Sequence, residues 1–120
     1  MGEAWHHRRV ARDASGNIAA GTSTGGITNQ MPGRVGDSPL PGCGTYANND
    51  SVAISCTGIG EAFVKEVAAH QVSDRVLYAK EDPVEAAKAR WTVWPVTTRR
   101  WHDRRPPPMG DGADGVQPAR

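Results

Sequence analysis

A glycine-rich stretch, Thr22 to Gly60, contains the two charged residues that are best placed to do chemistry. Nine of the fourteen glycines lie between Gly21 and Gly60, and Arg34 stands three residues before Asp37. Glycine at this density indicates turns with positive φ, or backbone packed close to another group. The stretch therefore predicts a rigid loop that presents one cation and one anion. The alternative, which residue types alone favour, is a surface loop with a solvated ion pair.

Length and composition limit what the chain can be. Its 120 residues allow one domain or part of one, and the mean hydropathy of −0.55 is polar. The net charge of +1 gives no argument for nucleic acid or a membrane surface as a partner. No apolar run could cross a bilayer, and the N-terminus, MGEAWHHRRV, lacks the apolar region of a secretory signal. We therefore expect a cytoplasmic protein.

Metal and redox chemistry find little support in the sequence. Cys43 and Cys56 match no zinc or redox spacing, which predicts two reduced thiols with at least one of them buried. No cysteine or carboxylate completes a ligand set with His6 or His102, so we expect no metal. The arginines around Trp101 suit nucleic acid, but this basic cluster is short, so we expect no nucleic-acid partner.

Strand signals dominate the first half of the chain. Two short apolar runs flank a turn sequence at residues 13–17, which predicts a hairpin over Val10 to Thr24. Residues 31–49 carry three prolines and too much glycine for regular structure, which predicts an ordered loop. Residues 51–57 alternate between apolar and small side chains, which predicts a strand with one face on an apolar layer.

Helix signals follow. Apolar residues recur at three- to four-residue spacing over residues 63–72, and the sequence predicts that this helix continues or restarts at Ser73. A second helix begins with Asp82 as N-cap and Pro83 at its first position, and runs through Ala89. Strands followed by helices on one side predict a layered α+β fold.

Three runs in the middle of the chain occur together in one known family. GNIAAGTSTGG, PGRVGDSPLPGCGTYANN and AISCTGIGE, in this order, resemble the β subunit of the plant-type L-asparaginase/isoaspartyl peptidase family. The resemblance covers roughly Val10 to Ala89, about two-thirds of the chain. It implies part of the αββα sandwich of the N-terminal-nucleophile (Ntn) hydrolases, here antiparallel strands followed by helices.

The resemblance also implies a reaction. In the family a precursor cleaves itself at a Gly–Thr bond, and the new N-terminal threonine is the nucleophile, with its own α-amino group as general base. The hydroxyl attacks the side-chain amide of L-asparagine or the isopeptide carbonyl of a β-aspartyl peptide, and water then releases L-aspartate. No cofactor is required. Aspartylglucosaminidase is an alternative within the family, but the run TGIGEAF favours the asparaginase/isoaspartyl peptidase branch.

Substrate-binding roles follow from the resemblance. Arg34 would bind the substrate α-carboxylate through its guanidinium fork, and Asp37 would bind the α-ammonium. Thr57 and Gly58 would form the oxyanion hole through a hydroxyl and a backbone N–H. Gly58 and Gly60 would also be substrate-binding residues. Five glycines would let the backbone approach a small zwitterion: Gly25, Gly26, Gly33, Gly36 and Gly60. The alternative for each residue is a satisfied structural polar group.

The nucleophile is where this sequence departs from the family. Family spacing places the catalytic threonine eighteen residues before Thr24, at His6, and the local sequence AWHHRR does not match HGT-hydrophobic-GA. Thr24 would hydrogen-bond the nucleophile, although on its own it is better explained as a structural threonine. With histidine at this position, we expect no asparaginase activity from the chain as written.

Residues 10–89 therefore form the family-like core, between an aberrant N-terminus, 1–9, and an aberrant tail, 90–120, that we expect to be disordered. The α-subunit portion has no counterpart in the sequence, and the family suggests an (αβ)2 assembly. Two hypotheses remain open. The chain is either the β-subunit portion of an active hydrolase, or a catalytically inactive, frameshifted remnant that folds poorly or only with a partner.

A codon argument makes the frameshift hypothesis testable. AWHHRR can be encoded by GCA TGG CAC CAT CGG CGC, which reads HGTIGA when shifted by one base and rejoins the expected frame at Val10. WHDRR, shifted in the same way, can give GMIA. We expect the coding DNA to contain these runs in the shifted frame. Actual codons that do not produce them would show that the hypothesis is wrong.

Overall fold

The structure, a computed structural model, describes residues 6–90 and 117–118. The elements, in chain order, are β1 (His6–Arg12), β2 (Ile18–Thr24), β3 (Thr45–Ala47), β4 (Val52–Ser55), α1 (Gly60–Glu66), α2 (Ala68–Leu77), α3 (Pro83–Arg90) and β5 (Gln117–Pro118). These strands pair antiparallel as β1–β2 and β3–β4–β5. The described part is thus an α+β fold, as predicted. Most of the predicted tail, and residues 1–5 of the aberrant N-terminus, lie outside the described residues.

The predicted hairpin is confirmed. β1 and β2 pair from His6 opposite Thr24 to Arg12 opposite Ile18, so the hairpin begins four residues earlier than Val10. The turn closes through the N–H of Asp13, which donates to the Asn17 carbonyl at 2.9 Å. The hairpin therefore carries residue 6 directly alongside residue 24.

The second sheet differs from the prediction in two ways. Residues 31–49 were predicted to be without regular structure, which is wrong for Thr45–Ala47, because β3 pairs with β4 there. β4 was predicted to be buried on one face, but each residue from Val52 to Ser55 is buried. The hairpin covers the other face, where the Ser55 hydroxyl donates to the Gly21 carbonyl at 3.2 Å and bonds the Thr22 hydroxyl.

Two of the helices, α2 and α3, begin where their first N–H groups find acceptors outside the helix. The first predicted helix breaks at Val67, which has a φ of 47°, and restarts at Ala68. Of the two predicted alternatives at Ser73, continuation is confirmed, because α2 runs through Ser73 to Leu77. The N–H groups of Ala69 and His70 donate to two loop carbonyls, at 3.1 and 2.9 Å, which a continuous helix would not allow. The prediction of Asp82 as N-cap is confirmed, since its Oδ1 accepts the N–H of Val84 at 2.9 Å.

The apolar core lies between β4 and the helices. Its buried members are Val52, Ile54, Cys56, Phe63, Ala68, Ala69, Val72, Ala86 and Ala87. The small alanine side chains in this core let the helices approach their neighbours closely. The core also fixes the direction in which the chain leaves β4 toward Thr57. None of the helices in the described part has both the length and the apolar character needed to cross a bilayer.

Candidate functional site

Residues that the sequence predicts to be functional come together around one pocket of about 240 Å³. The predicted residues that line it are His6, Thr24, Arg34, Asp37, Thr57, Gly58 and Gly60. They come from four places in the fold: the open end of the hairpin, the loop after β2, the segment after β4 and the start of α1. The pocket therefore depends on the hairpin and β4 packing together.

Asp37 is the buried anion of the pocket. It is 6% exposed, and its Oδ2 has no hydrogen-bond partner within the described residues. Its backbone carbonyl accepts the N–H groups of Leu40 and Gly44, at 3.0 and 3.1 Å, so the loop wraps around it. Burial raises the pKa of this carboxyl, while backbone N–H groups and the charge of Arg34 act in the opposite direction.

Arg34 is the cation of the pocket, and its partner is not Asp37. Its Nε donates to Glu61 Oε1 at 2.6 Å, and its Nη1 donates to Gln30 Oε1 at 3.0 Å. The hydrogen bond with Glu61 raises the pKa of Arg34. The alternative of a solvated ion pair between Arg34 and Asp37 is therefore wrong: the carboxylate is buried and the guanidinium is held by two other side chains.

Gly60 keeps the two charges close to the backbone. A Cβ at this position would lie 3.0 Å from Arg34 Nη2 and 3.1 Å from Asp37 Oδ1. A Cβ at Gly44 would lie 2.7 Å from Asp37 Oδ2. Close approach to Asp37 thus requires glycine at position 44 and leaves little room for a side chain at position 60, as the glycine density of the stretch predicts.

The histidine at position 6 joins two threonines in the pocket. His6 Nδ1 lies 2.8 Å from Thr24 Oγ1 and 3.2 Å from Thr57 Oγ1. The N–H of Gly26 also donates to Thr24 Oγ1, at 3.1 Å. The eighteen-residue spacing thus corresponds to direct cross-strand pairing, and the side chain at position 6 sits between the hydroxyls of both predicted site threonines.

Gly58 follows Thr57 on the way out of β4. A Cβ at Gly58 would lie 2.6 Å from Cε2 of the Phe63 ring, which is itself buried in the core. The absence of a side chain lets this segment pass over Phe63 and into the pocket. Core packing thereby sets the position of the predicted oxyanion-hole backbone.

Two polar residues that hold Arg34, and the exposed apolar residues that line the pocket, were not predicted from the sequence. Glu61 and Gln30 were not among the predicted site residues, yet both hold Arg34. The sequence did contain a signal for such residues. An arginine in a glycine-rich loop, such as Arg34, needs hydrogen-bond acceptors that hold its guanidinium group in one orientation. Of the residues that line the pocket, Ile27 and Val35 are 51 and 60% exposed.

The cysteines lie in the buried interior. Cys43 and Cys56 are both free and buried, as predicted. Burial raises the pKa of the Cys56 thiol to about 12, so it stays protonated and unreactive at neutral pH. Within residues 6–90 and 117–118, no three histidine, cysteine or acidic side chains gather as a metal site.

Most of this chain resembles proteins of one known family. The model of a family described as "Asparaginase" matches residues 9–98. The chain is 62% identical over 69 residues to an isoaspartyl peptidase of Salmonella typhimurium, an alignment that covers 58% of this chain and 22% of that protein. It is 56% identical over 79 residues to the isoaspartyl peptidase of Escherichia coli, with 66% and 25% covered.

A relative from a mammal gives a similar result. The chain is 61% identical over 56 residues to an isoaspartyl peptidase/L-asparaginase of Bos taurus, with 47% of this chain and 18% of that protein covered. The chain thus spans about a quarter or less of the length of the curated relatives it matches.

The buried state of Asp37 predicts a pH-dependent stability. Its pKa in the folded chain is raised above the ordinary 3.8, so the folded chain holds this proton more tightly than the unfolded chain. The resulting stabilisation is complete below the ordinary pKa and is lost as pH rises through the raised pKa. We expect Asp37→Asn to remove this loss, so that the difference in melting temperature between the variant and the wild type shifts in favour of the variant as pH rises through the raised pKa, and is constant above it.

Thermal melts at a series of pH values measure this difference. Asp50→Asn changes an exposed aspartate in the turn between β3 and β4, and it is the matched control. Its difference from the wild type should not grow with pH in this way. Parallel curves for Asp37→Asn and the wild type would contradict the assignment of a raised pKa to this carboxyl.

Proposed function

The chain belongs to the plant-type L-asparaginase/isoaspartyl peptidase family, and from this premise we propose that its pocket is the substrate-holding half of an amidohydrolase site. The proposed ligand is an amino-acid zwitterion with an amide or isopeptide on its side chain, either L-asparagine or a β-aspartyl peptide. Hydrolysis of either in a complete site releases L-aspartate. The names of the relatives, isoaspartyl peptidase and L-asparaginase, support this class of substrate.

The observation that carries the proposal is the buried carboxylate of Asp37. A buried charge costs several kcal/mol unless a partner compensates it. Oδ2 of Asp37 has no partner among the described residues, yet Asp37 lines the pocket. The α-ammonium of an amino acid is a compact cation with three N–H donors, and it would compensate this charge on entering the pocket.

Arg34 has donors left for the other end of the zwitterion. A guanidinium carries five N–H donors, of which Glu61 and Gln30 accept two. The remaining three, one on Nη1 and two on Nη2, form the edge that suits the two oxygens of a carboxylate. We assign Arg34 to the α-carboxylate, with Glu61 and Gln30 as positioning residues that hold its plane.

The side chain of the ligand would then extend toward Thr57 and Gly58. In the proposed site the Thr57 hydroxyl and the Gly58 N–H donate to the oxygen of the scissile carbonyl. Residue 6 occupies the place of the nucleophile, held by Thr24. In a family member with an N-terminal threonine there, that hydroxyl attacks the carbonyl carbon, and an acyl-enzyme forms and is hydrolysed.

An imidazole at position 6 cannot perform this step in the same way. We therefore propose that this chain binds the zwitterion without cleaving it. The intact hydrolase is proposed to consist of α and β chains in an (αβ)2 assembly, with the αββα sandwich of the Ntn-hydrolases. The hairpin layer against the β3–β4–β5 sheet, with helices on its other side, supports that architecture.

A pair of arginine variants tests the proposed role of Arg34. Isothermal titration calorimetry of the full chain with L-asparagine should show saturable binding. Arg34→Lys should weaken it at least about tenfold, because an ammonium cannot form the bidentate contact. Arg75→Lys is the matched control, since Arg75 also donates its Nε to a glutamate, Glu81, at 2.8 Å, but does not line the pocket.

The control should bind L-asparagine as the wild type does. Equal effects of the two substitutions would contradict the assignment of Arg34. A wild-type chain that is folded by circular dichroism and binds neither L-asparagine nor a β-aspartyl dipeptide would overturn the proposed function itself.

A further inference from the structure

We propose that the pocket prefers L-aspartate to L-asparagine, because the imidazole of His6 adds a hydrogen-bond donor for the side-chain carboxylate. This inference rests on the proposed function for the α-ammonium and the α-carboxylate. The third contact, to His6, belongs to this chain in particular. Position 6, which holds the nucleophile in the family, would in this chain recognise an acidic side chain of the ligand.

We take the Thr24 hydroxyl as the donor to Nδ1 of His6, which specifies the ring nitrogen that carries the proton. Thr24 Oγ1 accepts the N–H of Gly26 at 3.1 Å and lies 2.8 Å from His6 Nδ1. If Nδ1 is the acceptor, the Thr24 hydroxyl proton has a partner in the ring. In a neutral imidazole the other nitrogen, Nε2, must then carry the proton and act as donor.

Thr57 is left with a hydroxyl proton to donate. An imidazole nitrogen has one lone pair, and Thr24 at 2.8 Å is a nearer donor to Nδ1 than Thr57 at 3.2 Å. The Thr57 hydroxyl can therefore turn toward a ligand oxygen. The pocket then presents two neutral donors to the ligand side chain, Nε2–H of His6 and O–H of Thr57.

This donor set favours a carboxylate over a carboxamide. Both side-chain oxygens of aspartate accept hydrogen bonds, and those with an ionised acceptor are roughly twice as strong as neutral ones. Asparagine offers one acceptor and an NH2 group that would face donors. An unpaired polar group in a binding site costs affinity, so the amide is discriminated against.

The surrounding charges are compatible with an acidic ligand. Asp37 lines the same pocket as His6 and Thr57, and its charge is compensated by the α-ammonium in the proposed complex. Glu61 is already paired with Arg34 at 2.6 Å. The side-chain carboxylate of aspartate therefore accepts hydrogen bonds from His6 and Thr57. The neighbouring carboxylates, Asp37 and Glu61, both have a cationic partner in the proposed complex.

Calorimetry with the full chain tests the preference. At about pH 8, above the range in which histidine side chains usually titrate, L-aspartate should bind about tenfold more tightly than L-asparagine. His6→Ala should remove this preference, so that the two amino acids bind with dissociation constants within about twofold of each other. His7→Ala is the control, because neighbouring strand residues face opposite sides, and it should keep the preference.

The outcomes of these titrations distinguish failure of this inference from failure of the proposed function. Equal or tighter binding of L-asparagine by the wild type overturns the inference and leaves the proposed function standing. The same holds if His6→Ala keeps the wild-type preference. If a folded wild type binds neither amino acid, the proposed function fails, and this inference fails with it.

A spectroscopic measurement on the wild type avoids dependence on variants that fold poorly. Two-dimensional proton–nitrogen NMR distinguishes the two imidazole tautomers through the nitrogen shifts of the ring. The chain without ligand should show His6 with its proton on Nε2. A His6 ring with its proton on Nδ1 would overturn the inference, because Nε2 could not then donate to the carboxylate.

Discussion

The buried carboxylate of Asp37 is the constraint around which this fold arranges its pocket. Hydrogen bonds to the backbone carbonyl of Asp37 hold the loop around this residue. Glycines occupy positions 44 and 60, where a Cβ would approach the side-chain oxygens of Asp37. One oxygen remains without a partner in the described part of the chain. A protein that holds an anion in this way stays less stable than it could be, which is typical of a site built for a cationic group.

The sheets and helices carry the other pocket residues to this carboxylate. β4 is buried on both faces, between the hairpin and the helical layer, and it delivers Thr57 at its end. Ser55 bonds the hairpin strand β2, which aligns the open end of the hairpin with the end of β4. Strand register then sets His6 beside Thr24. The site is thus assembled by packing between layers, and a change in that packing would separate the groups.

Much of this arrangement could be predicted from local chemistry, and the exceptions share a cause. The hairpin and the cap at Asp82 depend on neighbours in sequence, so the sequence predicts them. β3 forms in a segment rich in proline and glycine because β4 offers it a hydrogen-bonding edge. The start of α2 and the pairing of Arg34 with Glu61 likewise depend on loop carbonyls and side chains distant in sequence. Such partners are visible only once the chain is folded.

The central claim is that this chain holds an amino-acid zwitterion but lacks the chemistry to cleave it. The most direct measurement is proton NMR of L-asparagine mixed with the full chain and followed over days. The account predicts saturation transfer from the protein to the ligand, with the asparagine signals unchanged in total intensity. Aspartate that accumulates in proportion to the concentration of the chain would contradict it, because position 6 would then not decide whether the site reacts.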